Sequence, residues 1–401
     1  MLDAYIYDGA RTAFGKYCSS LAHVRPDDLA AGVIKALIER NNFDPLLIED
    51  VLLGCGCQTG EDSRNVARYA TLLADLPVDV SAQTINRLCG SSLAAIIDAA
   101  RAITCGEGEV FIAGGVESMT RAPLTLNKAN TAYSKDIKIY DSAIGVRFPN
   151  KKIAKEYGHE AMPQTADNVA KAENISREQC DEFALKSQHK WESATEKGYF
   201  KEEIIPVNIP QKRGKPDLIV DTDEHPRAGA TLDKMASMRP LFEDGVVTAA
   251  NASGVNDGAA AVVIGSRQFG EQHKLKPLAR VLGGASAGIE PTIMGLGPVP
   301  ACKKLLKRLG LTLDQMDLIE INEAFAAQVL GDMKQLGLSE DDPRVNPNGG
   351  AISVGHPLGA SGARIALTAT RQLQRTGGRY ALISMCVGVG QGIAMVIERT
   401  E

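Results

Sequence analysis

The stretch QTINRLCGSSLAAIIDAARAI, residues 83–103, places a cysteine at a chain reversal. An apolar run ends at Leu88 and small residues follow. Leu93, Ile96, Ile97 and Ala100 then fall at i, i+3, i+4 and i+7, which predicts an amphipathic helix. Cys89 would sit just before that helix, beside unpaired backbone N–H groups that favour a thiolate. A similar outline returns at residues 351–369, AISVGHPLGASGARIALTA, where His356 precedes a Gly-Ala-Ser-Gly helix start.

The two stretches belong to longer matching series. Upstream of Cys89 lies the apolar strand pattern IEDVLLGCG with Asp50, and upstream of His356 lies MDLIEINEAFA with Asp317. The separations, from 50 to 89 and from 317 to 356, are both 39 residues. Downstream come EVFIAGGVESM, read as a strand ending at its glycine pair, and RYALISMCVGVGQG, a strand ending in small residues. A recurring order of strand, turn with a reactive residue, helix and strand predicts duplicated α/β halves. Packed about a pseudo-twofold axis, the halves would bring Cys89 and His356 to opposite sides of one cleft.

Composition bounds the possibilities. The 401 residues exceed a single core, and 44% hydrophobic with 23% charged residues is ordinary for a globular protein. A net charge of −5 argues against a nucleic-acid surface. No uninterrupted apolar run is long enough for a membrane span. MLDAYIYDGARTAFGKY opens with a strand pattern and lacks the features of a signal peptide. Eight cysteines spread along the chain do not form a disulfide framework, and Cys55-x-Cys57 has the wrong spacing for zinc, so no metal is expected. A reducing, cytoplasmic setting is expected.

Between the halves the chain is charged and irregular, as in residues 128–152 and 209–235. One helix there is well signalled: Ser176 to Gln179 form a capping box, and Gly198 ends the pattern. TAANASGVNDGAAAVVIGS, residues 248–266, returns to strand character and closes the first half. The expected division is residues 1–120 for the N-terminal half, 121–248 for an inserted loop domain, 249–272 for completion of the first half, and 273–401 for the C-terminal half.

Taken singly, a free cysteine is most often a small buried apolar residue, and a histidine in a Gly-rich turn is most often structural. Joint placement at repeat-equivalent turns changes that reading. Cys386 lies on a strand whose Gly-rich end brings N–H groups toward a ligand, as an oxyanion hole requires. Asn322 and Glu323 stand at the C-terminal end of an apolar strand, where open α/β sheets hold ligands. The residues therefore point to acyl transfer through a Cys89 thioester, with His356 as base and Cys386 as a second acid/base. A dinucleotide-binding dehydrogenase is disfavoured, because no G-x-G-x-x-G follows the first strand.

The blocks NRLCGSS, GGVESMTRAP, NASGVNDGAA, NEAFAAQ, NGGAISVGHPLGASGAR and CVGVGQG, in this order along the chain, resemble the signature blocks of the thiolase family. The resemblance implies the five-layer αβαβα thiolase fold, an α/β architecture of two similar halves with a loop domain inserted in the first. It implies acyl-CoA as substrate, CoA as co-substrate with no tightly bound cofactor, and a homo-oligomer, either a dimer or a dimer of dimers. By motif, Cys89 matches the acylated nucleophile, His356 its base, and Cys386 the acid/base at the substrate α-carbon. Asn322 matches the asparagine that holds a water, completing one oxyanion hole with His356. The N–H groups of Cys89 and Gly388 match the second hole. For CoA the matching positions are Arg227, Met238, Phe242, Ala249, Ser253, Met294, Ala324 and Phe325, with Met162 near the pantetheine. Ala161 departs from the histidine of many biosynthetic members, and Ser92 replaces a usual glycine, a change expected to narrow the pocket.

Within the family, GEDSRNVARYA, IYDSAIGVRF and DEHPR resemble most the 3-oxoadipyl-CoA thiolases, whose substrate ends in a carboxylate. Arg64, Arg68 and Arg147 are the expected partners for that carboxylate, because arginine pairs with carboxylates through two parallel hydrogen bonds. The alternatives within the family are a fatty-acid 3-ketoacyl-CoA thiolase or an acetoacetyl-CoA thiolase. Outside it they are a β-ketoacyl synthase-like condensing enzyme, against which NEAF and Cys386 speak, or an acyl-CoA-binding protein without catalysis, which would lack Cys89 or His356.

Overall fold

The structure, a computed structural model, describes residues 1–400 with the exception of Arg213. The first half runs β1 (Ala4–Thr12), α1 (Pro26–Asn41), β2 (Ile48–Gly54), α2 (Val66–Leu73), β3 (Ser81–Ile85), α3 (Ser91–Cys105) and β4 (Val110–Ser118). A long insertion follows, carrying α4 (Met162–Glu173) and α5 (Arg177–Glu196), before β5 (Asn256–Gly265). The second half runs β6 (Ala279–Gly288), α6 (Pro298–Leu309), β7 (Leu318–Ile321), α7 (Ala326–Leu336), α8 (Leu358–Thr376), β8 (Tyr380–Val387) and β9 (Gln391–Arg399).

These strands form one continuous sheet in the order β7-β8-β9-β6-β1-β5-β4-β2-β3. Read inward from each edge, the halves share one plan. In the first, β3 and β2 are parallel, β2 and β4 are parallel, and β4-β5-β1 continue antiparallel. In the second, β7 and β8 are parallel and β8-β9-β6 continue antiparallel. The counterpart of β3 shrinks to a single parallel bridge, Ile319 to Val345. The duplication read from the sequence is thus a duplication of strand order, and β1 pairs with β6 where the halves join.

Alternation along the strands separates three cores and generates the layers. Ala260, Val262 and Ile264 of β5 face a central core with Leu93, Ile96 and Ile97 of α3 and with Ile365 and Leu367 of α8. Ala259, Ala261 and Val263 point the other way, onto Leu29, Val33 and Ile34 of α1. In β9, Ile393, Met395 and Ile397 share the central core, whereas Ala394 and Val396 face Leu305 of α6 and Val329 of α7. Strict period-two patterning thus buries both faces of each sheet half. The result is helix, sheet, central helix pair, sheet and helix.

Residues 88–105 are also apolar enough over 18 residues to cross a membrane by composition. They include α3, and the apolar surface of α3 is taken up by both sheet halves and by α8.

The insertion is fastened to β1 by buried charge. The Arg11 guanidinium donates to both carboxylate oxygens of Asp223 at 2.7 and 2.9 Å and to Glu203 at 3.2 Å. All three side chains are almost completely buried. Removing one partner would strand a buried charge, so the contact fixes where the inserted segment sits. The capping box at the start of α5 forms as read: Ser176 Oγ accepts the N–H of Gln179, and the Gln179 side chain accepts the N–H of Ser176.

One strand differs from its sequence reading. EVFIAGGVESM continues as β4 beyond the glycine pair to Ser118. Gly114 and Gly115 do not end the strand. They let it run tight against its neighbours, since a Cβ on Gly115 would fall 2.0 Å from the Gly359 carbonyl oxygen. This carries Glu117 into the interior.

Candidate active site

Cys89 lies immediately before Gly90, the N-cap of α3. The turn that presents it is strained: Leu88 has φ +46°, a left-handed conformation unusual for a bulky residue. Three local bonds hold it. Ser91 Oγ accepts the N–H of Arg87 at 2.9 Å and donates to the Leu88 carbonyl at 2.6 Å, and Asn86 Oδ1 accepts the N–H of Leu88 at 2.9 Å. Cys89 keeps part of its surface accessible, while its thiol is enclosed by protein. Burial pushes the thiol up to about 11, against the lowering pull of the Gly388 N–H and its own N–H. The helix start alone therefore does not make a resting thiolate, contrary to the sequence expectation. Desolvation outweighs the helix dipole.

His356 is 5% exposed. Its N–H donates to Asn256 Oδ1 at 2.9 Å, fixing the backbone. Its Nδ1 lies 2.6 Å from Ser361 Oγ, and that hydroxyl donates to the Pro357 carbonyl at 2.9 Å. A hydroxyl has one proton, so with that proton on Pro357 the serine accepts from Nδ1–H. This network assigns a bare Nε2, the nitrogen that a general base uses. Asn322 Nδ2 approaches Nε2 at 3.4 Å, a long contact easily exchanged for a stronger one. Burial first, and the charge of Arg364 second, lower the imidazole to about 3, so it rests neutral.

Cys386 occupies the end of β8 and is 1% exposed. Its thiol is pushed well up, chiefly by burial and then by the neighbouring Cys89. Val387 and Gly388 pass beside Cys89: a Cβ on Gly90 would lie 2.9 Å from Val387, and one on Gly388 would lie 3.2 Å from Leu88. Val389 has φ +64°, so strained backbone flanks the thiol on this side too. Asn322, at the end of β7, is 1% exposed, and its Oδ1 finds no protein partner. An orphaned buried carbonyl of this kind suits an ordered water.

The two helix starts meet in the central layer. Ser92 Oγ accepts the N–H of Ala363 at 2.9 Å, and a Cβ on Gly362 would strike the Leu93 backbone N at 2.4 Å. This contact brings the helix starts preceded by Cys89 and His356 together. It also corrects the reading of Ser92, which is fully buried and joins the central helices, so it does not narrow a pocket.

Among the positions matched to CoA binding, Met162, Met294, Ala324 and Phe325 pack in one apolar cluster with Cys386. Ser253 is tied to them, donating its N–H to the Ala324 carbonyl at 2.9 Å. Arg227 and Ala249 form a second group, with Nη2 of Arg227 on the Ala249 carbonyl at 2.6 Å. Met238 stands apart from the Cys386 cluster, packing on the core of the second half. Phe242 lines a cleft with Asp167 and Val246 beside α4.

The three candidate arginines separate. Arg68 is removed as a carboxylate reader: its guanidinium donates to the Val80 carbonyl at 2.5 Å and to the Val78 carbonyl at 3.0 Å. It closes the turn after α2, a use that the sequence pattern did not reveal. Arg147 is half-buried and donates to Thr59 Oγ1 at 2.5 Å. Arg64 is exposed, with φ +66°.

Ser361 and Asn256 were missed as partners of His356, although both lie inside quoted motif blocks. Nothing in a serine five residues after a histidine marks it as a ring partner until the first turn of α8 forms.

The chain matches the descriptions of the thiolase N-terminal domain over residues 4–268 and the thiolase C-terminal domain over residues 275–399. It is 56% identical over 401 residues to the beta-ketoadipyl-CoA thiolase of Acinetobacter baylyi, covering all of both chains. It is 54% identical over 401 residues to the 3-oxoadipyl-CoA/3-oxo-5,6-dehydrosuberyl-CoA thiolase of Escherichia coli, again covering all of both. It superposes on human mitochondrial 3-ketoacyl-CoA thiolase in complex with CoA with a TM-score of 0.91 and 40% identity, covering 100% of this chain and 98% of that one.

Proposed function

This chain belongs to the thiolase family, and from that premise we propose that it cleaves 3-oxoadipyl-CoA with CoA to give succinyl-CoA and acetyl-CoA. The observation that carries the substrate is full-length identity of 54–56% to relatives named for that acyl group. Human 3-ketoacyl-CoA thiolase, at 40%, is more distant.

In the proposed reaction, bare Nε2 of His356 takes the Cys89 proton as Sγ attacks the C3 ketone of the substrate. The oxyanion is received by the newly protonated Nε2 of His356 with a water held at Asn322, or by the N–H groups of Cys89 and Gly388, which the backbone holds in place before substrate arrives. The C2–C3 bond then breaks, and its electron pair forms a thioester enolate. The Cys386 thiol protonates C2, and acetyl-CoA leaves. The succinyl group remains on Cys89 until the thiol of a second CoA attacks it. The Cys386 thiolate takes the proton of that CoA thiol, and Cys89 leaves as a thiolate that recovers its proton from His356. All three groups thereby return to their starting states in a ping-pong cycle. The raised thiol of Cys386 suits a proton donor, because it stays protonated until a stronger base forms beside it.

For CoA, a co-substrate in this scheme, the cluster of Met162, Met294, Ala324 and Phe325 offers an apolar wall beside Cys386. We further infer a homo-oligomer, dimer or dimer of dimers. Leu124, Leu126, Ile137 and Ile139 lie exposed on and beside a two-stranded hairpin of the insertion, a surface suited to a second subunit. Eight free thiols fit a reducing, cytoplasmic setting. The deciding experiment is turnover of 3-oxoadipyl-CoA against 3-oxohexanoyl-CoA and acetoacetyl-CoA with free CoA. A kcat/KM for 3-oxoadipyl-CoA no higher than for the others would overturn the substrate assignment.

A further inference from the structure

Glu117 lies near the end of β4 and is 1% exposed. Its Oε2 accepts the N–H of Gly56 at 2.8 Å and the N–H of Gly359 at 2.8 Å, while Oε1 accepts the N–H of Cys57 at 2.8 Å. Two of these donors belong to the loop after β2, and the third lies in the first turn of α8. One buried carboxylate thus bridges two segments that approach the catalytic centre from different halves.

Each segment leads by a short bonded path to a reacting side chain. On one side, the Gly56 carbonyl accepts Asn86 Nδ2 at 3.1 Å, and Asn86 Oδ1 accepts the N–H of Leu88 at 2.9 Å. Leu88 is the left-handed residue that presents Cys89. On the other side, Gly359 lies two residues before Ser361, whose hydroxyl orients the His356 ring at 2.6 Å. Gly359 and Gly115 leave no room for a Cβ, because the backbones of β4, of the end of β2 and of the first turn of α8 meet there.

We propose that Glu117 is a positioning residue that sets nucleophile and base against each other, acting on Cys89 through Gly56 and Asn86 and on His356 through Gly359 and Ser361. It touches no substrate. Its three backbone contacts tie the loop after β2 to the first turn of α8, alongside the Ser92–Ala363 bond that joins the two helix starts directly. The proposal rests on Cys89 as nucleophile and His356 as base.

Glu117→Gln is nearly isosteric, yet its amide nitrogen cannot accept a hydrogen bond, so at least one of the N–H groups is opposed by another donor. The expected result is a fall in kcat of roughly 10–100-fold, with KM changed by no more than about twofold. Ser361→Ala should then cost less in the Glu117→Gln background than in the wild type, because both act through His356. A merely structural role would give additive losses. Asn86→Asp keeps the acceptor for Leu88 and loses the donor to Gly56. It should slow alkylation of Cys89 by iodoacetamide, and it decides the nucleophile side even if Glu117→Gln does not fold.

Acylation of wild-type Cys89 by acetyl-CoA, followed by mass spectrometry, separates the two layers of argument. If wild-type Cys89 is not acylated, the assignment of the nucleophile fails. If it is acylated, wild-type kcat in Glu117→Gln, full additivity with Ser361→Ala, or unchanged alkylation in Asn86→Asp overturns the role of Glu117 alone.

Discussion

His356 Nδ1 and Ser361 Oγ lie 2.6 Å apart, and this contact selects the ring nitrogen left free to accept a proton. The serine's own proton is committed to the Pro357 carbonyl, so Nδ1 must be the protonated nitrogen and Nε2 the bare one. Ser361→Ala should therefore lower kcat by about 10-fold, the worth of one net hydrogen bond that orients a base. KM should hardly change. Unaltered kcat in steady-state kinetics would show that the ring is oriented without the serine.

Cys89→Ser should reduce turnover to background and block acylation. A hydroxyl is far less acidic than a thiol, and the His356 ring is backed by Ser361 Oγ rather than by the carboxylate that supports the histidine of a serine triad. Mass spectrometry of the acylated protein is the check. A stable acyl adduct on another cysteine would move the assignment there.

Cys386→Ala should leave acylation of Cys89 by acetyl-CoA measurable while slowing carbon–carbon cleavage by about 10²–10⁴-fold. Acylation needs a nucleophile and an oxyanion hole, whereas cleavage also needs a proton for the departing enolate. Separate rapid-quench measurements of the two steps test the division of labour. Equal losses in both would refute it.

The resting protonation states make a pH prediction. Burial raises Cys89 to about 11 and lowers His356 to about 3, so between these values both groups are neutral. Only the thiolate reacts with iodoacetamide, so alkylation of Cys89 should accelerate about tenfold per pH unit from pH 7 to 9. A preformed thiolate–imidazolium pair would instead give a plateau across that range. Protonation of His356 should produce no acid limb above about pH 5 in kcat/KM, since its affinity for a proton lies lower still.

Arg64→Ala or Arg147→Ala should damage one substrate selectively. Loss of a charge-assisted pair is worth about 1.5–3 kcal/mol, which lowers kcat/KM for 3-oxoadipyl-CoA by roughly 10–150-fold. The uncharged 3-oxohexanoyl-CoA should be nearly unaffected. Arg68→Ala should act differently, lowering Tm with no substrate preference, because its guanidinium serves the Val78 and Val80 carbonyls. Equal effects on both substrates from Arg64 and Arg147 would exclude both as carboxylate readers.

The sequence by itself determined the architecture and singled out the candidate reacting side chains. Strand alternation and the paired 39-residue spacings encode the duplicated halves, and six motif blocks name Cys89, His356, Cys386 and Asn322. These features are legible because periodicity and motif spacing are local properties of the chain. Tertiary structure alone decided how those groups behave. The strand that seemed to stop at Gly115 runs on to bury Glu117, because the glycine pair serves close packing and not a turn. Ser92 joins two helices, and Arg68 is spent on carbonyls of the turn that follows its helix. The helix start before which Cys89 sits promised a thiolate, yet desolvation by surrounding layers holds the thiol up at about 11. Burial and the partner of a given donor depend on which distant segments fold against it, and no local pattern in a sequence carries that information.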